Sequence, residues 1–262
     1  MPTAKDTVRL AAMADVHCAK SSQGTLQPVF ARAAEAADVL LLCGDLTDYG
    51  YPEEAHVLAK ELSVLTRSHV PVVAVLGNHD YEAGHVDEVR KILCDAGVTL
   101  LDGESCEILG VGFAGVKGFG GGFNRGTLGA WGEPAVKRFV QEAVDEAMKL
   151  ESALARLRTP QRIAVLHYAP IRATVEGEPV EIFPWLGCGR LEEPLVRYPV
   201  QAVFHGHAHN GTYEGRARGD IPVYNVAMPL MLKTFPGRDP FHLMEVSVAG
   251  DPARNAGGSN PP

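Results

Sequence analysis

Asp15 and His17, then Gly44, Asp45 and Asp48, then Asn78, His79 and Asp80, then His167, and finally His205, His207 and His209 form five short clusters along a chain of 262 residues. Each follows at once on an apolar run: Val8 to Ala14, Ala37 to Cys43, Val70 to Leu76, Arg162 to Leu166 and Val200 to Phe204. Any one of these is an ordinary strand-to-loop sequence, but a purely structural role gives no reason for five repeats at the same end of a strand. Asp, Asn and His without Cys make a mixed oxygen and nitrogen donor set suited to Mn, Fe or Zn. The candidate ligands are too many for one ion, and one carboxylate can bridge two. Two cations about 3.5–4 Å apart lower the pKa of a bridging water and clamp the attacking and leaving oxygens of an in-line displacement.

The elements that must position these groups follow from the same runs. They are too short for typical helices and suit strands buried on both faces. Such strands present polar chemistry at the carboxyl edge of a sheet, where open α/β folds keep their ligand sites. After the first strand comes a polar loop from Cys18 to Gln27, then an Ala-rich helix from Pro28 to Ala36 with Pro28 in its first turn. A second helix opens at Pro52-Glu53-Glu54, its apolar Val57, Leu58, Leu62 and Leu65 at helical spacing. A third spans Val86 to Asp95 and ends at Gly97. This βαβαβα order implies parallel strands with right-handed crossovers.

The pattern then switches to short runs at Thr99 to Leu101, Cys106 to Leu109 and Gly112 to Val116, which read as a meander. The Gly-rich stretch from Gly118 to Trp131 reads as a mobile loop or, alternatively, as the rim of an active site; it lacks the GxxxxGK[ST] of a P-loop. A long amphipathic helix from Glu133 to Arg158, a loop-rich insertion between His167 and Leu195, and strands at Val223 to Ala227 and His242 to Val248 complete the pass. Residues 1–249 read as one domain and 250–262 as a disordered tail.

Composition narrows the function classes. Lys and Arg total 24 against 32 for Asp and Glu, a net charge of −8, and no basic block occurs. A broad electrostatic surface for a nucleic-acid polymer is therefore not expected, whereas a small anion held by metal ions is. The five cysteines are scattered, with no CxxC pair, which fits a reducing compartment. No signal pattern and no run of roughly 18 apolar residues is present, so a cytoplasmic protein without a membrane partner is expected.

Taken together, DxH (Asp15, His17), GDxxD (Gly44, Asp45, Asp48), GNHD (Asn78, His79), the isolated His167 and GHxH (His207, His209) resemble the calcineurin-like metallophosphoesterases. The blocks stand in that family's order, from Val8 to Tyr224. The resemblance implies an α/β (α+β) fold of four αββα layers, two mixed sheets flanked by helices. It also implies one metal on Asp15, His17, Asp45 and His209 and a second on Asp45, Asn78, His167 and His207, with Asp45 bridging and a metal-bridging hydroxide as nucleophile. The ions would be divalent or of mixed valence. His79 would face the leaving group or a phosphate oxygen, oriented by Asp48.

Other residues of these motifs have plainer roles. His205 reads as structural, Cys18 as a small inert residue, Asp80 as the hydrogen-bond partner of its turn, and His56, His69 and His85 as surface groups. Protein Ser/Thr phosphatases of the superfamily carry GDxVDRG and GNHE; here Tyr49 replaces their Arg and Asp80 their Glu. GDLTDYGYPEEA with VLGNHD looks more like the bacterial branch of cyclic-nucleotide and glycerophosphodiester phosphodiesterases, although His167-Tyr168-Ala169-Pro170 lacks that branch's second His or Asn. A small phosphodiester is therefore the expected substrate. A phosphomonoester is the alternative, with Arg125 and Arg172 as candidate clamps. A metallo-β-lactamase-type hydrolase is disfavoured because HGHAHN lacks the Asp-His ending of HxHxDH. A non-catalytic metal-binding protein is disfavoured because no ligand of the pattern is missing.

Overall fold

The computed structural model describes residues 6–248, so the expected tail at 250–262 lies outside the described residues. The chain opens with β1 (Thr7–Met13), α1 (Gln27–Ala36), β2 (Val39–Cys43), α2 (Pro52–Arg67), β3 (Val72–Val75), α3 (Val86–Asp95) and β4 (Val98–Leu100). The hairpin β5 (Ser105–Ile108) and β6 (Val111–Val116) leads to α4 (Pro134–Arg156) and β7 (Gln161–Leu166). Short helices α5 (Phe183–Leu186) and α6 (Glu192–Arg197) precede β8 (Ala202–His205), β9 (Glu214–Ala217), β10 (Ile221–Asn225), α7 (Met228–Thr234) and β11 (His242–Ser247).

The strands form two mixed sheets, ordered β11-β1-β2-β3-β4 and β5-β6-β7-β8-β10-β9. In the first, β1 to β4 are parallel and β11 runs antiparallel to β1; in the second, β5 and β9 are the antiparallel edges. Period-two alternation explains why the central strands are apolar throughout. Val8, Leu10 and Ala12 of β1 face the second sheet with Val39, Leu41, Phe113, Ile163, Val165 and Phe204, while Ala11, Met13, Leu40 and Leu42 face α1 to α3. On the far side Ala114, Val116, Ala164 and Leu166 pack beneath α4 and α6. These are the four αββα layers expected.

The meander does not form as such. β4 pairs parallel to β3 in the first sheet, and β5 and β6 open the second. The chain crosses between sheets at Leu101, whose N–H donates to Ala74 O (2.8 Å) while its side chain enters the core between the sheets. The α1 N-terminus is also served from outside its own helix. Buried Glu61 of α2 accepts from the N–H groups of Gly24 (2.7 Å), Leu26 (2.9 Å) and Gln27 (3.0 Å). Among the described residues no helix is long and apolar enough to cross a membrane.

Candidate functional site

The carboxyl ends of β1, β2, β3, β7 and β8 meet at one edge of the sandwich, and backbone bonds beyond the strands hold them together. Asp15 N–H donates to Gly44 O (3.0 Å) and His17 N–H to Asp45 O (3.1 Å) within the first sheet, Gly206 N–H to His167 O (3.1 Å) within the second, and Ala14 N–H to Val226 O (2.9 Å) ties the two sheets together. At this edge Asp15, His17, Asp45 and His207 have φ of 55°, 41°, 48° and 72°, left-handed conformations that non-glycine residues seldom adopt. Such strain costs about 1–3 kcal/mol per residue and persists where surrounding structure imposes it. The turns therefore aim side chains, at a cost in backbone energy.

The side chains so aimed fall into overlapping groups. Asp15, His17 and His209 bring one ligand atom each to within 4.8 Å of one another, as do His17, Asp48 and His79, and as do Asp45, His167 and His207. Asp45 stands between: its Oδ1 lies 3.3 Å from His167 Nε2 and its Oδ2 3.8 Å from His17 Nε2. Asn78 Oδ1 meets the same His167 Nε2 at 2.9 Å. Asp15 Oδ1 meets His209 Nε2 at 2.9 Å, and both Asp15 oxygens accept from His207 N–H.

Two observations test whether a cation fits. With Nδ1 donating to Cys43 O (3.0 Å), His167 turns Nε2 toward two oxygen acceptors, Asp45 Oδ1 and Asn78 Oδ1. That convergence calls for positive charge at one point, supplied by a proton on Nε2 or by a metal ion. His17 has both ring nitrogens buried without a hydrogen-bond partner, an arrangement that costs free energy unless something binds them. The donor set of imidazole, carboxylate and amide oxygen, without thiolate, fits a divalent ion. The protonation balance is of the same kind. Burial holds the Asp45 carboxyl above its ordinary range despite His167, whereas burial of Asp15 is outweighed by His209, His167 and the His207 amide, which hold it below. Burial pushes His207 down to about 3, which keeps its ring neutral and a lone pair available. Its Nε2–H donates to the Trp185 carbonyl (3.1 Å).

His79 departs from expectation in how it is held. Its Nδ1 bonds the main-chain carbonyl of Asp48 (2.6 Å), not the Asp48 carboxylate, which instead lies 3.7 Å from His17 Nδ1. The reason is the pinned loop beneath. Buried Asp80 accepts from Leu46 N–H, Thr47 N–H, Thr47 Oγ1–H and Gly77 N–H at 2.6–3.2 Å, and Asp48 N–H donates to Cys18 O. The Asp48 carbonyl is thereby fixed toward His79. His79 N–H also donates to Asp45 Oδ1 (2.9 Å). Burial alone would lower the His79 pKa; the Asp48 carbonyl and the Asp45, Glu82 and Asp48 carboxylates outweigh it and raise the value.

The lesser residues sort by contact. His205 is buried between Gly206 O and Thr174 Oγ1 (both 2.8 Å), and burial lowers it to about 4. Cys18 sits in the helix-side core, its thiol pushed up to about 12 by burial. Sequence reasoning misses three positioning groups. Asn225 donates to Ala208 O (2.7 Å) and accepts from Ala227 N–H, Thr174 supports His205, and the Trp185 carbonyl meets His207. A weak signal was present in Asn225, a polar residue closing an apolar strand. The Gly-rich stretch is tied down: Gly121 N–H donates to Pro184 O, Gly122 N–H to Gly187 O and Gly189 N–H to Gly122 O. It thus reaches the site edge through the insertion that carries Trp185, an insertion built of short helical turns rather than bare loop.

Gly206 shows how little room the site leaves. A Cβ there would lie 2.2 Å from Asp15 Oδ2 and 2.6 Å from Ala14 Cβ. Gly206→Ala is expected to destabilise the metal-free protein by about 1–3 kcal/mol, as overpacking does. At about 2–4 °C per kcal/mol for a chain of this size, thermal unfolding shows this as a fall in Tm. A Tm within a degree of wild type would mean that the loop yields freely and that Asp15 is not held by it.

Comparison with known proteins gives a consistent picture. The model of the family described as Calcineurin-like phosphoesterase matches residues 8–211. No curated protein matches the chain. Among solved structures, a phosphopantetheinyl hydrolase from Mycobacterium tuberculosis superposes with a TM-score of 0.64 at 15% identity, covering 93% of this chain and 96% of that one. A protein of Thermus thermophilus gives 0.52 at 15% identity over 92% and 99% of the two chains. A purple acid phosphatase from yellow lupin seeds gives 0.52 at 15% identity, covering 78% of this chain and 38% of that one.

Proposed function

The chain belongs to the calcineurin-like phosphoesterase family, metal-dependent hydrolases with a dinuclear centre, and from that premise we propose that it hydrolyses a small phosphodiester. Asp15, His17, Asp45 and His209 would hold one ion and Asp45, Asn78, His167 and His207 the other; the two Asp45 oxygens face His167 and His17 respectively. Bound ions of the Mn, Fe or Zn type supply the positive charge that activates water and neutralises phosphoryl oxygens. A water oxygen bonds to phosphorus as its proton passes to solvent, an ester P–O bond breaks, and doubly protonated His79 gives a proton to the departing alkoxide. With Nδ1 committed to the Asp48 carbonyl, Nε2 is the nitrogen free for that transfer. A reducing, cytoplasmic setting belongs to the same reading, supported by five unpaired cysteines.

The observation that carries the diester over the monoester is the charge around the cluster. Among the described residues, no Lys or Arg is hydrogen-bonded or ion-paired to any of the nine side chains named here as ligands or as the His79–Asp48 pair. The position after GDLTD is the exposed Tyr49, its ring 6.4 Å from that of His79. A diester monoanion needs less positive charge than a monoester dianion. With Mn²⁺ supplied, kcat/KM is expected to be higher for bis(p-nitrophenyl) phosphate than for p-nitrophenyl phosphate. A monoester preference of about tenfold or more, about 1.4 kcal/mol in transition-state binding, overturns the diester reading and leaves the hydrolase.

A further inference from the structure

The insertion whose Trp185 carbonyl meets His207 also forms one wall of a separate cleft of about 430 Å³, lined by Phe123, Asn124, Arg125, Arg172, Phe183 and Pro184 among others. That volume lies within the range of small-ligand pockets. Phe183 and Pro184 immediately precede Trp185, and Gly121 N–H bonds Pro184 O, so the cleft is built on the backbone that borders the cluster.

Its charge is unlike the rest of a chain of net charge −8. The Arg125 guanidinium has no hydrogen-bond, ion-pair or ring partner among the described residues, and it stands in a short turn, Asn124–Gly126, entered through Asn124 at φ 53°. Arg172 is positioned from two sides, its guanidinium 5.5 Å from the Phe183 ring centre and its Nε 3.4 Å from Glu176 Oε1. Two smaller clefts share Asn124, and one of them also shares Arg172; their other arginines are engaged, Arg216 with Glu214 and Asp220, Arg218 with Glu192, and Arg190 with the Leu128 carbonyl. The unpaired cation is therefore at the larger cleft, beside a second one already oriented.

We propose that this cleft is an anion subsite, in which Arg125 and Arg172 bind a phosphate group carried by the substrate on the far side of the scissile diester. The inference rests on the diesterase reading and extends it: the substrate is a phosphodiester bearing a second phosphate. Two guanidinium forks suit a phosphate group, which accepts paired N–H donors from each. The arginines take no part at the scissile phosphorus, which agrees with their lack of contact with the cluster. They act on substrate choice, through binding of the distal group.

The test uses the Mn²⁺-loaded full chain and a series of p-nitrophenyl alkyl phosphodiesters of increasing alkyl length. Each ester ending in phosphate is paired with one of equal length ending in hydroxyl. At the length that spans cluster to cleft, the phosphate-ended ester is expected to exceed its partner by about tenfold or more in kcat/KM, a factor equal to about 1.4 kcal/mol. Raised salt should shrink that ratio, as the cleft is open to solvent. Arg125→Ala and Arg172→Ala should each lower it and the double variant bring it near one, whereas Arg67→Ala, on the distant end of α2, should leave it as in wild type. A wild-type ratio near one at every length, or a ratio that survives the double variant, overturns the subsite while the hydroxyl-ended esters still turn over. Loss of turnover on both series in metal-loaded wild type instead overturns the diesterase reading, and the subsite with it.

Discussion

Metal-free protein titrated with Mn²⁺ is expected to take up two ions per chain and to gain on the order of 10–20 °C in Tm. An ion that binds only the folded state stabilises it by about 2.7 kcal/mol at a hundred times its dissociation constant, and a chain of this size shifts by about 2–4 °C per kcal/mol. The physical source of the gain is visible in the cluster. His17 keeps two buried, unpartnered nitrogens, and His167 Nε2 faces Asp45 Oδ1 and Asn78 Oδ1. A bound cation meets both arrangements, giving the His17 nitrogens a partner and replacing any proton between His167 and its two oxygens. Asp45→Asn is the decisive variant because the two Asp45 oxygens face different histidines at 3.3 and 3.8 Å. An amide replaces one of those oxygens by a donor NH₂, so both ions should be weakened. The loss should exceed the roughly 10–100-fold seen when a group merely hydrogen-bonded to a ligand is removed. His17→Ala should weaken mainly the ion shared with Asp15 and His209. Saturation at one ion in wild type, or equal loss of both ions in the two variants, would remove the bridging role of Asp45.

The strands and their carboxyl-end clusters are legible because both are local patterns. An apolar run followed by Asp, Asn or His needs no knowledge of the rest of the chain, and β1, β2, β3, β7 and β8 all stand where such runs predict. What stays hidden depends on distant partners. β4 looks like the start of a meander, yet it joins β3 because Leu101 has the inter-sheet core to fill. Glu61 looks like one more carboxylate of an amphipathic helix. Only the fold shows that it is buried and caps α1 some 34–37 residues away. The short β9 and the helix α7, Met228–Thr234, have too little periodicity to be seen at all.

Within the site the limit is finer. Which residues converge can be read from spacing, but which atom of each does the holding cannot. Asp48 follows Asp45 in a pattern that suggests a carboxylate behind His79, and the fold delivers its carbonyl there instead. That choice is made by Asp80, which fixes the Leu46 and Thr47 amides from below. The Trp185 carbonyl on His207 is hidden for the same reason, since backbone acceptors carry no signature in the side-chain sequence.

This atomic detail sets the outcome for the last prediction. His79→Ala is expected to keep both metals and to lose about 10²–10⁴-fold in kcat on diesters with poor leaving groups, the usual contribution of a positioned acid–base side chain. The loss should be smaller on p-nitrophenyl esters, whose leaving oxygen needs little protonation. The pH dependence has a definite sign. The Asp48 carbonyl and nearby carboxylates raise the His79 pKa above its ordinary value against the effect of burial, so the acid form is present below that raised value and lost as pH climbs through it. Wild type should therefore show a declining alkaline limb on poor leaving groups, and His79→Ala should lack it. Asp48→Asn leaves the orienting carbonyl in place and removes a carboxylate that lies 3.7 Å from His17. That carboxylate is the smallest of the influences raising His79, so the alkaline limb moves somewhat to lower pH without vanishing. The variant should retain both the alkaline limb and the leaving-group dependence, while metal affinity at the His17 side falls. If Asp48→Asn instead abolishes the alkaline limb, the side chain and not the carbonyl orients His79; if His79→Ala turns over poor leaving groups at the wild-type rate with both metals bound, His79 is not the proton donor.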